Sequence, residues 1–397
     1  MDLRFTEEDL LLRAEIREFC RTKQPEALRR KLELGQHLEH EDYVNWQRIL
    51  DANGFAVPHW PIEWGGRGWT ASQLYIFNEE LLRFPALLPE NHNTAQVGPV
   101  IIAFGTDMQK QRFLPKIRNL DYWFCQGFSE PGSGSDLASL KTSAVRKGEF
   151  YEVNGQKLWT TQAHRANWMF CLVRTDNNAK KQKGISYLLI DLKSPGITIR
   201  PVHIMGAHRV NEVFFEKVIV PVENRIGEEN RGWDYAKFLM GNSRINVARI
   251  GLATGRIERA KSLAAQVMVD KKPLSENPRF REKLAALEID LKATEITNMR
   301  IVADQLKKNE IKQDPRASIL KLKGGELQQM TAELLMEVAG PHALAQQGDF
   351  LAVKDKALGP EWAPGIAATY YYSRAISIVG GSNEVQRNII AKGILGL

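Results

Sequence analysis

The chain has 397 residues, of which 43% are hydrophobic and 25% are charged, and its formal net charge is +7 at pH 7. This composition is typical of a globular protein with two or three packed subdomains, and it excludes the disordered and collagen-like classes. Lys and Arg are spread along the chain without a basic tract, so we expect no nucleic-acid partner.

The N-terminal sequence and the cysteines indicate the cellular compartment of the protein. The opening MDLRFTEEDLLLRAEIREFC has no apolar signal-peptide core, and no segment approaches the roughly 20 apolar residues of a membrane span. We therefore expect a cytoplasmic protein without a membrane partner. Cys20, Cys125 and Cys171 show no CxxC spacing, which predicts free thiols rather than disulfides and gives no support for a metal site.

Residues 1–120 are predicted to form a helical domain, because apolar residues recur there at helical spacing. Examples in the first segment are Leu10, Leu11, Ala14, Ile16 and Phe19, and examples in a later one are Tyr75, Ile76, Leu81 and Leu82. Between them, the Pro-, Gly- and Trp-rich segment 58–70 predicts a long loop.

The segment FSEPGSGSD, residues 128–136, has the composition of a ligand-binding loop. Two glycines, Gly132 and Gly134, would let backbone N–H groups approach a ligand closely. Three serines add hydroxyls without bulk, namely Ser129, Ser133 and Ser135. Such a loop suits a polar, planar or phosphorylated ligand, and the alternative is an ordinary surface loop.

The next segment, EFYEVNGQKLWTTQA, predicts a β-hairpin whose turn is Asn154-Gly155. Trp159 and Thr161 would then lie on one face of the second strand. An indole beside a hydroxyl suits a buried aromatic cofactor ring, although Trp159 could instead belong to the core.

Residues 121–228 as a whole are predicted to form a small β-domain. The runs ISYLLIDL, ITIRPVHI and NEVFFEKVIV are rich in β-branched and aromatic residues, and turn clusters separate them.

Helices return in residues 229–397. The longest helical pattern, REKLAALEIDLKATEITNMRIVADQLKKNE, would span about 45 Å at about 1.5 Å per residue, a length that suits a helical bundle. Its apolar stripe consists of Leu284, Leu287, Leu291, Met299, Val302 and Leu306.

Three motifs in this order, FSEPGSGSDLASLKTSA, NGQKLWTTQA and IVGGSNEVQRNIIAKGIL, closely resemble the acyl-CoA dehydrogenase family of flavoproteins. The resemblance covers essentially the whole chain. It implies an α+β fold with an N-terminal helical domain, a middle β-barrel or β-sandwich domain and a C-terminal four-helix bundle.

The resemblance also implies that FAD is the cofactor, with its ring between the β-domain and the C-terminal helices. Ser129 would contact the flavin edge near N5, Trp159 and Thr161 would flank the ring, and Ser135 would face the CoA side. Other cofactor residues implied in this way are Phe128, Gly134, Ser382, Asn383, Glu384 and Gln386. Arg387 could equally be a structural contact at a helix end.

The implied reaction is α,β-dehydrogenation of an acyl-CoA thioester, with electrons passed to an electron-transfer flavoprotein. A carboxylate of raised pKa must take the α-proton while hydride leaves the β-carbon. The sequence departs from the family at this point: one known position of that carboxylate is Gly380, and the other, immediately before Arg244, is Ser243. A serine hydroxyl has too high a pKa to serve unaided.

The catalytic residue is therefore unknown from the sequence. Glu90 is a weak candidate, and His92 a weaker one, because the family lines its acyl pocket with this stretch; a solvated loop or a helix cap is the alternative. Asn91 and Arg244 would contact the substrate. The polar run Glu90, Asn91, His92 and Asn93 suits a polar or bulky acyl group.

A second departure concerns the adenine end of FAD. Homotetrameric members of the family bind a neighbour's FAD through an Arg-x-x-Phe-Gly motif, and here Val267, Asp270 and Lys271 occupy its places. The second adenine-binding segment of those members corresponds to residues 337–341 of this chain, where Pro341 lacks an N–H donor. The chain thus resembles the paired-subunit bacterial branch, in which two different chains form a tetramer; a diverged homotetramer is the alternative. Altered chemistry on the same fold and a non-catalytic partner subunit are the alternatives for its function.

Overall fold

The computed structural model describes residues 4–206, 208–242, 247–308, 314–344 and 359–397. Helices come first, a β-sheet follows and helices return, as the sequence predicts. Within the described residues, no helix is both long and apolar enough to cross a membrane.

Six α-helices form the N-terminal part. They are α1 (Glu7–Lys23), α2 (Glu26–Leu34), α3 (His40–Ala52), α4 (Ala71–Arg83), α5 (Gly98–Phe104) and α6 (Asp107–Arg118). Threonines begin three of them: Thr6, Thr70 and Thr106 each accept a hydrogen bond from the backbone N–H three residues on. These caps satisfy N–H groups that the first helical turn leaves unpaired, which fixes where α1, α4 and α6 begin.

The apolar face of α1 differs from the predicted one. Leu10 and Leu11 are exposed, whereas Leu12, Ile16 and Phe19 are buried. Leu12, Ile16 and Phe19 follow one another at spacings of three and four residues, so they form the stripe that faces the other helices. The later segment in α4 is buried at Tyr75, Ile76 and Leu81, as predicted.

Seven strands form one sheet. They are β1 (Phe124–Gly127), β2 (Ser143–Lys147), β3 (Phe150–Thr161), β4 (Trp168–Arg174), β5 (Ile185–Asp191), β6 (Ile197–Ile204) and β7 (His208–Pro221). Their order is β1-β4-β2-β3-β7-β6, with β5 also paired to β4. β1 runs parallel to β4, while β7 pairs antiparallel with β3 on one side and with β6 on the other.

The sheet is buried on both faces around β4, all seven residues of which are buried. Phe170 and Leu172 pack into the same core as the N-terminal helices. Met169 and Cys171 point into a second core on the other face, lined by Tyr151 among others. This two-sided burial explains why the sequence shows a continuous apolar run here rather than alternation.

The predicted hairpin turn at Asn154-Gly155 is wrong. These residues lie inside β3, and the turn that joins β2 to β3 is Gly148-Glu149, where Gly148 has φ +62°. Asn154-Gly155 instead forms a bulge opposite β7, with a register shift between Val153 and Gly155. A Cβ on Gly155 would lie 2.7 Å from the Cα of Thr142, so the glycine allows a close backbone approach rather than a turn.

The described residues of the C-terminal part form six α-helices and a two-stranded hairpin. The helices are α7 (Gly232–Asn242), α8 (Ile250–Ala264), α9 (Pro278–Lys308), α10 (Ala317–Ala339), α11 (Pro364–Ser373) and α12 (Asn383–Ile390), and the strands are β8 (Met268–Val269) and β9 (Lys272–Pro273). The long predicted helix is confirmed as α9 over its described residues, with Leu287 and Val302 buried. The same stripe also buries two polar residues, Thr294 and Asn298.

Candidate functional site

The glycine- and serine-rich loop leaves the sheet directly after β1 and folds back on itself. Glu130 and Ser133 exchange backbone hydrogen bonds of 2.9 and 3.0 Å, which closes a tight turn around Pro131 and Gly132. Ser133 is buried, and its hydroxyl donates to the carbonyls of residues 136 and 137. This serine therefore shapes the loop rather than facing a ligand.

The outer side of the loop is open. A Cβ on Gly132 or Gly134 would find no atom within 4 Å. Packing within the described chain therefore gives no reason for glycine at these two positions. Open space beside exposed backbone suits the close approach of a ligand.

β3 passes beneath this loop and is irregular where it does so. Its register against β7 shifts between Lys157 and Thr160, and Trp159 has φ +62°. Lys157 is fully buried, whereas the Trp159 side chain is 57% exposed. The bulge thus places residues 157 and 159 on opposite sides, although regular strand alternation would place them on the same side.

Thr160 is buried, whereas Trp159 before it is exposed and Thr161 after it is half-buried. Thr161 pairs with Val210 at the end of β3. An exposed indole at the end of a strand leaves a large flat apolar surface open to a ligand.

Three hydroxyls of the predicted site have no hydrogen-bond partner among the described residues, those of Ser129, Ser135 and Thr161. The loop and the exposed Trp159 are neighbours, because the Leu158 N–H donates to the Ser129 carbonyl at 2.9 Å. These residues fit a planar heteroaromatic ring such as that of a flavin. Phe128 is different: it is buried and packs edge-on against Phe170 at a centroid distance of 5.7 Å, so it lies beneath the loop.

The C-terminal motif surrounds the start of α12. Ser382 is the N-cap, and its hydroxyl accepts a hydrogen bond from the Val385 N–H at 3.4 Å. Gln386 donates from Nε2 to the carbonyls of Gly380 and Gly381, both at 3.4 Å. The side chain of Gln386 thus holds the two glycines against the helix.

Other residues of this motif have mixed placements. Glu384 is exposed in the first turn of α12, and its carboxylate lies 3.9 Å from the exposed guanidinium of Arg387, one turn further on. Asn383 accepts a hydrogen bond from Lys321 of α10 at 3.2 Å.

Gly380, one of the two family positions for a base, has φ +68° and no atom within 4 Å of a Cβ. The space for a side chain is present, but an L-residue would adopt a left-handed backbone there. Ser243 and Arg244 lie outside the described residues.

Glu90 lies just before a one-turn π-helix, His92–Val97. Its Oε1 is 3.1 Å from Nδ1 of His92 and accepts the His92 backbone N–H at 3.4 Å. Its carbonyl accepts from Thr94, so Glu90 serves as a local cap. Asn91 is exposed beside it.

The region that corresponds to the adenine-binding motif forms the β8–β9 hairpin. Its two-residue turn is Asp270-Lys271, with φ +49° and +66°. Val267 leads into it, and Glu337 of the second segment forms an ion pair with Lys283 at 2.6 Å. Both segments therefore have local structural roles.

The sequence prediction missed a buried ion pair below the loop. Lys157 Nζ lies 2.8 Å from Glu130 Oε1 and 3.1 Å from the Phe128 carbonyl oxygen. The sequence signal for this ion pair is weak, because Lys157 follows the polar residues Asn154 and Gln156 in the same strand. Separately, no group of three or more His, Cys, Asp or Glu among the described residues could hold a metal ion.

The cysteines do not belong to the site. All three are free and buried. Burial raises the pKa of the Cys171 thiol to about 11, so it remains protonated at neutral pH.

Comparison with protein families covers nearly the whole chain. Three family models match in succession: the acyl-CoA dehydrogenase N-terminal domain over residues 6–121, its middle domain over 125–218 and its C-terminal domain over 230–395.

Individual proteins are similar over the same length. The acyl-CoA dehydrogenase IpdE1 of Mycobacterium tuberculosis is 36% identical over 378 residues, which are 91% of this chain and 90% of IpdE1. A chain of the ChsE4-ChsE5 complex from the same species is 31% identical, with a TM-score of 0.86 over 100% of this chain and 99% of that one. A chain of the Tcur3481-Tcur3483 steroid ACAD is 29% identical, with a TM-score of 0.86 over 100% and 99%.

Proposed function

Because the chain belongs to the acyl-CoA dehydrogenase family, we propose that it is a flavin-binding subunit of an enzyme that dehydrogenates an acyl-CoA thioester between its α- and β-carbons. The expected fold class and family are confirmed. The observation that supports the function best is the exposed indole of Trp159 next to the loop that begins at Ser129, together with the hydroxyls of Ser129, Ser135 and Thr161, which have no partner among the described residues.

We propose that FAD occupies this surface. When bound, FAD supplies the acceptor for the hydride that leaves the β-carbon. Trp159 would lie along the ring, and the hydroxyls of Ser129 and Thr161 would donate to its polar edge. Ser135 would face the CoA side of the ligand. The remaining proposed contacts are Phe128 and Gly134 from the loop and Ser382 and Glu384 from the start of α12.

The α-proton needs a carboxylate, and this chain offers none at the described family position. Gly380 has no side chain. Glu90 is held by His92 and by its own helical turn, which favours a capping role over proton transfer. We therefore propose that a second chain supplies the base or that an unassigned carboxylate of this chain does so, with Glu90 the weak candidate.

Exposed apolar side chains support an assembly with such a chain. Ile289 and Ile296 lie on α9 away from its buried stripe, and Ile378, Val379 and Leu395 are exposed in the C-terminal segment. Apolar residues exposed at two such places are typical of subunit contacts. We propose a tetramer with a second acyl-CoA dehydrogenase-like chain, with a homotetramer as the alternative.

The relatives suggest the substrate and the electron acceptor. One similar structure is described as a steroid ACAD, and another is a complex of two different chains. We propose an acyl-CoA with a bulky or polar acyl group as substrate, Asn91 and Arg244 among its contacts, and an electron-transfer flavoprotein as acceptor.

The test is purification of the chain alone and after co-expression with the second acyl-CoA dehydrogenase-like chain of its own organism, followed by mass and the FAD-to-chain ratio. We expect FAD in the complex and bleaching of its absorption on anaerobic mixing with a bulky acyl-CoA. FAD that binds but is never bleached by any acyl-CoA, while turnover continues, would favour altered chemistry such as elimination. A complex without FAD would contradict the proposal and favour a non-catalytic subunit.

A further inference from the structure

The ion pair below the loop joins three separate segments. Lys157 Nζ donates to Glu130 Oε1 at 2.8 Å and to the Phe128 carbonyl at 3.1 Å. Glu130 also accepts the backbone N–H groups of Lys141 at 2.6 Å and Thr142 at 2.9 Å. One carboxylate therefore holds the beginning of the loop, the two residues before β2 and the bulge of β3.

A further backbone bond ties the same segments. The Leu158 N–H donates to the Ser129 carbonyl at 2.9 Å. Residues 128–130 of the loop and residues 157–158 of the bulge thus form a single hydrogen-bonded unit. Trp159 follows this unit directly, and its positive φ turns the indole outward.

Burial makes this pair costly to break. Lys157 has no exposed side-chain surface and Glu130 has 7%. Although burial acts to raise it, the Lys157 ammonium and the backbone donors hold the pKa of the Glu130 carboxyl below its usual range. A buried charge that loses its partner is left uncompensated, so each residue of the pair depends on the other.

A second Lys–Glu ion pair in the same sheet is much more exposed to solvent than the pair below the loop. Lys147 and Glu152 also lie 2.8 Å apart, but their side chains are 50% and 23% exposed. They join β2 to β3 at the surface, where ion pairs contribute little. Lys147 therefore provides a matched control.

We propose that Lys157 and Glu130 are positioning residues for the flavin ring, an inference that rests on the proposed function. Lys157 holds the carbonyl of Phe128 from below, which sets the direction in which Ser129 leaves the sheet. The same lysine fixes the bulge from which Trp159 projects. The two sides of the ring-binding surface are thereby set relative to each other by one buried ammonium group.

The experiment uses the purified holoprotein, in complex with its partner chain if FAD requires it. Lys157→Met removes the ammonium, Glu130→Gln keeps the shape but removes the carboxylate charge, and Lys147→Met is the control. We measure the FAD dissociation constant after reconstitution, the flavin absorption spectrum, and far-UV circular dichroism of the FAD-free protein.

We expect Lys157→Met and Glu130→Gln to weaken FAD binding by about tenfold or more and to shift the flavin absorption maxima, since hydrogen bonds to charged groups are the stronger ones. Lys147→Met should stay within about twofold of the unsubstituted protein. If the far-UV circular dichroism of the FAD-free variants matches that of the unsubstituted protein, the fold is intact and the loss of affinity arises at the site.

Two outcomes would overturn the proposal. The first is unchanged affinity and spectrum in a folded Lys157→Met or Glu130→Gln variant. The second is loss of folding in both variants, which would assign the pair to the core. If the unsubstituted complex binds no FAD, the proposed function itself fails, so the two failures are distinguishable.

Discussion

The backbone N–H of Gly251 donates a hydrogen bond to the buried carboxyl group of Glu79, so an acid on α4 caps the first turn of α8. The N-cap residue of α8, Arg249, makes no side-chain cap of its own. Glu79 therefore satisfies an N–H that the start of the helix leaves unpaired. The contact joins the N-terminal helices to the C-terminal ones.

Glu79 should make stability depend on pH. Burial raises the pKa of its carboxyl to about 8, and the nearby Glu295 carboxylate adds to the shift. Since the folded pKa exceeds the unfolded one, this contribution to stability is fully present below about pH 4.5 and is lost as pH rises through about 8. Glu79→Gln should remove that dependence and raise the free energy of unfolding at pH 9 by on the order of 1–4 kcal/mol.

Thermal unfolding between pH 5 and pH 9 measures this effect. Glu333→Gln, at an exposed position of α10, is the control and should leave the pH profile unchanged. Parallel profiles for Glu79→Gln and the unsubstituted protein would contradict the assignment.

Substitution by alanine at two adjacent glycines of α10 should have different effects on the free energy of unfolding. A Cβ on Gly324 would lie 2.5 Å from the Cα of Ala248, whereas a Cβ on Gly325 would meet only Ile376 Cγ2 at 3.5 Å. We expect Gly324→Ala to destabilise the fold by about 1–3 kcal/mol through overpacking. Gly325→Ala should be neutral or stabilise it by about 0.5–1 kcal/mol through helix propensity. Chemical denaturation of both variants tests the pair, and equal effects would show that α10 approaches Ala248, just before α8, less closely than in this structure.

A carboxylate placed at residue 380 tests whether the reaction lacks only its base. Gly380→Glu should fold, because a Cβ there meets nothing, at a cost of about 1–2 kcal/mol for the left-handed backbone. Gly380→Ala has the same backbone cost without the carboxylate. We expect faster anaerobic flavin bleaching by acyl-CoA in Gly380→Glu alone. A gain in neither variant, with FAD still bound, would indicate that the proton is taken at another place.

Two of the three hydroxyls without a hydrogen-bond partner among the described residues give a direct test of the proposed ring-binding surface. Ser129→Ala and Thr161→Val should each weaken FAD binding by about threefold to tenfold, the effect of one hydrogen bond, and shift the flavin spectrum. Thr198→Val, on an exposed position of β6, is the matched control. Unchanged spectra in both site variants would remove these residues from the cofactor contacts.

Much of the fold could be predicted because its signals are local. The runs that became β5, β6 and β7 are bounded by turn residues, and α9 shows an uninterrupted helical pattern. The same local logic failed at Asn154-Gly155, because the sequence signal for a hairpin turn is also satisfied by a bulge. The deciding contact is with Thr142, which lies just before β2 and is distant in sequence.

The candidate site was predictable only in part, for the same reason. Ser129, Trp159 and Thr161 stand in motifs that resemble a known family. Lys157 and Glu130 are 27 residues apart, and no local pattern pairs them. The roles of Ser133 in the loop and Glu90 in its turn also depend on hydrogen bonds that the sequence does not reveal.

The parallel pairing of β1 with β4 has a consequence for biosynthesis. Residues Phe124–Gly127, which lead into the loop, have their partners at Trp168–Cys171, and a parallel pair cannot be closed by a short turn. Such non-local contacts form late, because the intervening chain must first be brought together. While β4 is still being synthesised, the nascent chain already contains the whole FSEPGSGSD sequence but lacks the strand that pairs with β1, from which this loop begins. The surface that we propose for the cofactor therefore forms only after β4 has been synthesised.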